Sequence, residues 1–196
     1  MTWRLIPFAE QRVMPWANGG GSTREVAIDP PGASVAAGFR WRVSRAQVAS
    51  DGPFSVLPGV DRSLWLVSGA GMRLDVGGRE VVLDQPLQRC DFAGETPIAA
   101  KLLGGPCEDV NVMAARGVVR ASAAVVTLVA KEPLEVAAAG QWLAVVLAGR
   151  LAVRRGAVVA GPGDALRNDQ PAAAPVAVGP CTLLVCTFTA VAPAAS

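Results

Sequence analysis

A chain of 196 residues, 52% of them hydrophobic and 17% charged, can bury a sizeable core, which excludes a disordered protein. The net charge of +2 comes from scattered lysines and arginines that form no basic stripe, which excludes the usual nucleic-acid-binding modules. Histidine is absent, and this side chain is the commonest metal ligand and the usual acid or base near neutral pH. We therefore expect no metal site and no cofactor.

The N-terminal residues do not have the pattern of a targeting signal. Residues 1–12 include Arg4, Glu10 and Arg12 where a signal peptide has an apolar core. The longest uncharged apolar run, near residues 121–130, is too short to cross a bilayer. We expect a soluble, cytoplasmic protein with no membrane partner.

Short valine-rich runs, broken by glycine and proline, predict a mostly β protein. In chain order, alternation predicts strands within residues 14–28, 39–46, 62–67, 98–103 and 108–113, and a hairpin over residues 72–83. The turn at Asn18-Gly19 is either a plain hairpin turn or a ligand loop. The polar faces of these strands are either solvated or the lining of a cavity, and the pattern alone leaves both interpretations open.

Arg62 is the most informative charge in the chain. Leu64 and Leu66 follow it with a period of two, so the three residues share one face of a predicted strand. If the leucines face a core, the guanidinium points the same way near the end of the strand. A guanidinium in that position needs a partner.

The cysteines form no close pair, and their spacing fits apolar strands. We expect buried thiols rather than disulfides or zinc ligands at all four positions, Cys90, Cys107, Cys181 and Cys186.

The second half of the chain repeats the order of the first. Four landmarks recur after 74 to 78 positions, in the pairs Trp65 and Trp142, Gly71 and Gly149, Pro86 and Pro162, and Cys107 and Cys181. The shared order of strand, glycine, hairpin and proline indicates a duplication. We predict two domains, residues 1–118 and the smaller 119–196.

The turn at residues 161–166 resembles the Pro-Gly-Asp turn of cupins, which are small antiparallel barrels with a jelly-roll order. Two copies of the pattern imply an all-β bicupin with two jelly-roll-like barrels. Cupins place metal-binding histidines just after this turn, whereas Leu87 and Gln88 follow one turn and Leu166 and Arg167 follow the other. The resemblance therefore implies that the metal site is missing from both copies.

A closer resemblance is to the HutD/Ves family of bacterial bicupins. The family blocks appear in order as Asn18-Gly19-Gly20-Gly21-x-Thr23-x-Glu25, Trp41-Arg42-x-Ser44, Asp51-Gly52-Pro53-Phe54-Ser55 and Asp109-Val110-Asn111-Val112-Met113. The match is specific over the first 117 residues, and Ala17 departs from it where family members often carry a basic residue. The resemblance implies a non-catalytic protein that modulates histidine utilisation by sensing a small carboxylate such as urocanate or formylglutamate.

The family blocks fall on the strand faces that alternation already groups together. They imply a ligand pocket in the first barrel, formed by Asn18, Thr23, Glu25, Arg42, Ser44, Ser55, Arg62, Asp109 and Asn111. Arg62 or Arg42 would bind a carboxylate with paired N–H donors. Glu25 and Asp109 would hold the arginines in place while the site is empty.

Three alternatives remain open. An arginine–carboxylate pair inside the barrel can be purely structural and bind nothing. A metal-free isomerase or hydrolase would use Glu25 or Asp109 as base and Arg62 to stabilise an oxyanion, although no nucleophile–base pair favours an enzyme. A scaffold would pair its exposed strand edges into a homodimer.

Overall fold

The structure is a computed structural model that describes residues 3–136, 140–153, 157–168 and 173–192. Apart from a short 3-10 helix at Phe8–Glu10, its regular elements are strands, so the prediction of an all-β fold is confirmed for these residues. None of them belongs to a helix with the length and apolar character that a bilayer crossing requires. The strands are β1 (Arg4–Ile6), β2 (Arg12–Pro15), β3 (Gly21–Asp29), β4 (Trp41–Val48), β5 (Gly52–Pro53), β6 (Val60–Ser68), β7 (Met72–Val76), β8 (Arg79–Leu83), β9 (Arg89–Ala93), β10 (Ile98–Leu102), β11 (Cys107–Ala115), β12 (Val119–Leu128), β13 (Gln141–Ala148), β14 (Leu151–Val153), β15 (Val158–Ala160), β16 (Ala165–Asn168), β17 (Val176–Ala177) and β18 (Cys181–Ala190).

The chain divides into two compact units. The N-terminal unit contains residues 12–119, and the C-terminal unit contains residues 3–11 together with the described residues from 120 onward. The sequence prediction assigns residues 1–118 to one barrel, whereas β1 pairs with β16 and so joins the C-terminal unit. A strand of three residues carries no pattern that identifies its partner, which is why the sequence does not reveal this pairing.

Two antiparallel sheets enclose the core of the N-terminal unit. One has six strands in the order β2-β3-β4-β11-β6-β9, and the other has four in the order β5-β10-β7-β8. The core between them includes Leu64, Leu66, Met72, Leu74 and Ile98. No pairing among the described strands joins the two sheets, so they form an open pair rather than a closed barrel.

The C-terminal unit repeats this architecture. Its sheets have the orders β1-β16-β13-β18-β12 and β15-β14-β17, so β12-β18-β13-β16 corresponds to β4-β11-β6-β9 of the N-terminal unit. The hairpin of β14 and β15 likewise corresponds to that of β7 and β8. The predicted duplication is therefore present in the strand order.

Two glycines align the units and correct the predicted spacing. Gly69 and Gly149 have φ values of 96° and 78°. A Cβ atom on Gly69 would collide with the backbone of Pro106-Cys107, and one on Gly149 with the backbone of Pro180-Cys181. Because the two glycines make the same backbone contact, Gly149 corresponds to Gly69 and not to Gly71. The sequence prediction pairs Gly149 with Gly71 because matching by residue type alone does not detect this contact.

The four cysteines are buried free thiols, as predicted. Burial raises the pKa of Cys107 to about 11 and that of Cys186 to about 12. These thiols stay protonated at neutral pH, which makes them poor nucleophiles.

Trp41 is a fully buried residue of β4, on the face opposite to Arg42 and Ser44. We expect Trp41→Ala to lower the free energy of unfolding by about 3–5 kcal/mol, because it removes a fully buried indole. Urea denaturation of the full chain measures the change. Val13→Ala, at an exposed position of β2, is the control and should change stability by less than about 0.5 kcal/mol. A loss for Trp41→Ala as small as that of the control would contradict the burial of this indole.

Candidate functional site

A cavity of about 410 Å³ lies in the N-terminal unit. It occupies the face of the six-stranded sheet that also carries the core, since Arg62 lies on the same face of β6 as the buried Leu64 and Leu66. The guanidinium of Arg62 therefore points inward, as the alternation predicts. The cavity is lined by Trp16, Ala17, Asn18, Thr23, Val35, Arg42, Ser44, Ala46, Pro53, Phe54, Ser55, Leu57, Arg62, Asp109, Asn111 and Met113.

Strand register brings the polar residues of three strands together. Strand β11 lies between β4 and β6, with Asn111 opposite Ser44 of β4. Met113 lies opposite Arg42 of β4 on one side and Arg62 of β6 on the other. Because side chains alternate between the two faces of a strand, this register directs all five of these side chains to the cavity.

A β-bulge in β3 accompanies the placement of Glu25 beside Arg42. The register shifts between Glu25, which lies opposite Ser44, and Ala27, which lies opposite Val43. A bulge of this kind bends the strand and redirects the flanking side chains. Arg42 Nε donates a hydrogen bond of 2.8 Å to Glu25 Oε2. The resulting ion pair balances the charge of Arg42 in the cavity wall.

Arg62 has neutral acceptors instead of a carboxylate partner among the described residues. Its Nη2 donates to Asn111 Oδ1 at 2.8 Å, and its Nη1 donates to the Ser55 carbonyl oxygen at 3.1 Å. Its Nε is buried without a hydrogen-bond partner in the described part of the chain. The guanidinium carbon also lies 4.9 Å from the ring centroid of Phe92 and 5.9 Å from that of Phe54.

The surroundings of Arg62 favour an anion. The residue is only 7% exposed, and burial lowers its pKa to about 10, an effect to which Arg42 adds and which Asp109 opposes. The guanidinium stays cationic at neutral pH. Aromatic rings and two neutral oxygens stabilise a buried cation less than a carboxylate does. The site therefore suits a ligand with paired acceptor oxygens.

Asp109 is connected to Arg62 through Asn111. Asn111 Nδ2 donates a 2.6 Å hydrogen bond to Asp109 Oδ1, while Asp109 Oδ2 is buried with no partner among the described atoms. Burial raises the pKa of Asp109 to about 7, and Glu108 adds to this effect, while the Asn111 hydrogen bond and the charge of Arg62 oppose it. Both protonation states of this carboxyl are therefore populated near neutral pH.

The C-terminal unit carries apolar side chains at the equivalent positions. Aligned by strand register and by the two glycines, Trp142, Leu183 and Val185 take the places of Arg62, Asp109 and Asn111. Leu183 and Val185 belong to the core of that unit, and Trp142 packs against it. Core side chains therefore occupy, in the second copy, positions that face the cavity in the first.

The glycine run at residues 19–21, where β3 begins, forms a tight turn. The backbone N–H of Gly20 donates to Asn18 Oδ1 at 3.0 Å. A Cβ atom on Gly21 would collide with the carbonyl oxygen of Gln47, so the backbone of β3 passes close to β4 at this point. These contacts favour the hairpin-turn interpretation of the glycine run, although Asn18 also lines the cavity.

Most of the predicted site residues share the cavity. Eight of the nine line it. The ninth, Glu25, does not line the cavity but accepts a hydrogen bond from Arg42, which does. Glu25 holds Arg42 directly, whereas Asp109 is linked to Arg62 through Asn111 in the described structure. The amide of Asn111 provides an acceptor for Arg62 and a donor for Asp109, and so it bridges them.

Sequence reasoning misses the apolar part of the wall, which includes Trp16, Val35, Phe54, Leu57 and Met113. Phe54 lies inside a family block, but nothing in its pattern shows that its ring contacts Arg62. Phe92 lies opposite Arg62 in the ladder of β6 and β9. That neighbour is not readable from one sequence, because it depends on which strands pair.

The cavity offers guanidinium, amide, hydroxyl and carboxyl groups, a set suited to binding an organic anion through hydrogen bonds. In residues 3–136, 140–153, 157–168 and 173–192, no three His, Cys, Asp or Glu side chains are close enough to hold a metal ion.

Comparison with known proteins gives one family. A family model described as HutD matches residues 8–185. The chain is 39% identical over 100 residues to an uncharacterised 21.2 kDa protein in the hutC 3′ region of Pseudomonas putida, covering 51% of this chain and 52% of that protein. It is 38% identical over 120 residues to protein Ves of Cronobacter sakazakii, covering 59% of this chain and 64% of that protein. The chain thus spans about half to two thirds of the length of these curated relatives.

Solved structures show the same fold. HutD from Pseudomonas fluorescens SBW25, determined in a formate condition, has a TM-score of 0.79 at 28% identity, covering 96% of this chain and 99% of that chain. A pirin, YhhW from Escherichia coli in complex with nickel(II), has a TM-score of 0.70 at 10% identity, covering 97% and 100%. A cupin 2 conserved barrel domain protein from Leptotrichia buccalis has a TM-score of 0.58 at 12% identity, covering 95% and 96%. The bicupin fold class is confirmed, with the correction that the sheets stay open.

Asp109→Asn is expected to reduce the pH dependence of stability. The folded protein keeps the Asp109 proton up to about pH 7, whereas the unfolded chain loses it near the ordinary aspartate pKa. The stability that Asp109 contributes is therefore greatest at low pH and is lost as the pH rises through about 7. Urea denaturation between about pH 4 and about pH 8 should show a smaller decline for Asp109→Asn than for the wild type.

Asp91→Asn is the matched control, because it removes an exposed carboxylate of β9 that is paired with Arg89 outside the cavity. This control should keep the wild-type decline. An equal decline in wild type and Asp109→Asn would show that Asp109 is not protonated in the folded state.

Proposed function

Because the chain belongs to the HutD family, we propose that its cavity binds a small carboxylate and that the protein modulates histidine utilisation as a non-catalytic sensor. The observation that carries this proposal is the inward-facing Arg62, which has neutral acceptors and no carboxylate partner among the described residues. Two relatives support it: one is named for the hutC 3′ region, and the structure of the other, HutD from Pseudomonas fluorescens, is of a formate condition.

The geometry around Arg62 suits a carboxylate. Asn111 and Ser55 hold the two terminal nitrogens of the guanidinium and so fix its plane. The remaining N–H groups of the two terminal nitrogens are left as donors for the carboxylate oxygens. A planar fork that is already oriented loses little conformational entropy when the anion binds.

The apolar wall sets the expected size of the ligand. A volume of about 410 Å³ exceeds what formate needs and admits an acid with several carbon atoms. Phe54, Leu57 and Met113 would contact its carbon skeleton, while Thr23, Ser44 and Asn18 offer hydrogen bonds to further polar atoms. Urocanate and formylglutamate, both acids of the histidine-degradation route, are the candidates that we favour.

We place this sensor in the cytoplasm. Its four cysteines are buried free thiols. Reducing compartments maintain thiols in this state, which supports the proposed location.

Ligand-induced thermal stabilisation tests the proposed function. We expect at least one of urocanate, formylglutamate, formate and glutamate to raise the Tm of the wild type, since a ligand at about 100 times its Kd adds about 2.7 kcal/mol to the free energy of unfolding. Differential scanning fluorimetry across a concentration series gives the shift. If none of the four acids shifts the Tm, the proposed function is wrong.

Arg62→Ala should abolish this stabilisation. Its own stability should change by about 1 kcal/mol or less in either direction, because the substitution removes a buried charge as well as its hydrogen bonds. The control is Arg89→Ala, since Arg89 is stacked 5.1 Å from the Trp65 ring and does not line the cavity. A ligand shift that survives in Arg62→Ala would place the binding site elsewhere.

A second candidate is a metal-independent isomerase or hydrolase, and one observation favours it. Asp109 has an unpartnered oxygen and a pKa of about 7, properties that suit a general base. Glu25 is engaged by Arg42 and is less suited to this role. Turnover of urocanate or formylglutamate that is lost in Asp109→Asn and kept in Glu25→Gln would establish the enzyme, whereas binding without turnover supports the sensor.

A further inference from the structure

We infer that the cavity binds a monoanionic carboxylate together with one proton, and that Asp109 is the group that takes up this proton. The inference deepens the proposed function and rests on the carboxylate site at Arg62. It assigns Asp109 as a determinant of which ligand charge the cavity accepts.

The charges around Asp109 carry the first step. Arg62 on β6 is the cation connected to it through Asn111, and Arg42 on β4 is neutralised by Glu25 on β3. On β11 itself, Glu108 is paired with Arg45 of β4 at 2.8 Å, and the Cys107 thiol is protonated. In the empty site, an ionised Asp109 therefore balances Arg62, and the group of charges is close to neutral.

A bound anion breaks this balance. Adding one negative charge beside Arg62 leaves the buried site with a net charge of about −1 if Asp109 stays ionised. An uncompensated charge in a buried site is strongly unfavourable, and a carboxyl group in that position binds a proton instead. One proton on Asp109 restores neutrality for a monoanion such as urocanate. The dianion formylglutamate fits the same balance only with its second carboxylate outside the buried part of the cavity.

The geometry provides a position for the proton. Asp109 lines the cavity and is 1% exposed, and its Oδ1 already accepts a hydrogen bond from Asn111. Its Oδ2 has no partner among the described residues, so the proton can reside there without breaking an existing contact. A protonated Oδ2 is a hydrogen-bond donor, whereas an ionised Oδ2 repels the carboxylate of a bound ligand.

This mechanism makes affinity depend on pH in a defined direction. Below about pH 7 the empty protein already carries the proton, so binding requires no uptake and the Kd is constant. Above that pH the proton must come from solution, and the Kd rises by about tenfold per pH unit until Asp109 ionises in the complex as well. Formate is a suitable probe because it stays ionised over this range.

The test measures the Kd of formate for the full chain from about pH 6 to about pH 9 by isothermal titration calorimetry. We expect a flat region followed by the rise in wild type. In Asp109→Asn, whose side chain mimics the neutral acid and keeps an acceptor for Asn111, the Kd should stay near the low-pH wild-type value throughout. Asp91→Asn, an exposed carboxylate outside the cavity, should reproduce the wild-type profile.

A second measurement uses the wild type alone and does not depend on how a variant folds. Titrations at about pH 8 in two buffers of different ionisation enthalpy should show uptake of nearly one proton per formate bound. Formate binding without proton uptake, or a profile for Asp109→Asn that still rises, would overturn the inference and leave the carboxylate site intact. Absence of formate binding at every pH, with no Tm shift from any acid of the panel, would overturn both.

Discussion

The hydrogen bonds from the Arg62 guanidinium to the Asn111 side chain and the Ser55 carbonyl join two strands and a loop around the cavity. Their acceptors are neutral, so the positive charge of Arg62 is not paired with a carboxylate of the described residues. A carboxylate acceptor would have completed an ion pair and left a structural contact. Neutral acceptors instead orient the cation while leaving its charge available to a ligand.

Core and cavity share one sheet face, and the two uses of that face constrain each other. Leu64 and Leu66 continue the line of Arg62 along β6 and pack into the core, so the strand that holds the cation is itself held by apolar burial. Polar groups such as Asp109 and Asn111 displace apolar side chains from a face that would otherwise stabilise the unit. Such a loss of stability is what the proposed carboxylate site entails, since binding sites commonly trade stability for function.

The sequence contains enough information to predict which way most of the site residues point, because side-chain direction in a strand follows a period of two. Arg62 is the clearest case, since its two leucines identify the inner face. The bulge at Glu25, the bridging role of Asn111 and the ring of Phe92 beside Arg62 are not predictable in this way. Each depends on the register between strands that are distant in the chain, and a single sequence does not encode that register in any local pattern. The duplication shows the same limit, because its order is readable while the correspondence of Gly149 with Gly69 requires the contact with the Pro-Cys backbone.

The correspondence of these glycines allows the two units to be compared position by position. The two units share the order of their equivalent strands, and they differ where Trp142, Leu183 and Val185 align with Arg62, Asp109 and Asn111. Divergence after a duplication accounts for this pattern, because the shared strands keep their order while the chemistry of a few inward positions differs. The same positions can be used to classify related domains. A cation, an acid and an amide at these positions predict a unit with a polar cavity, whereas three apolar residues predict a unit whose core fills that space.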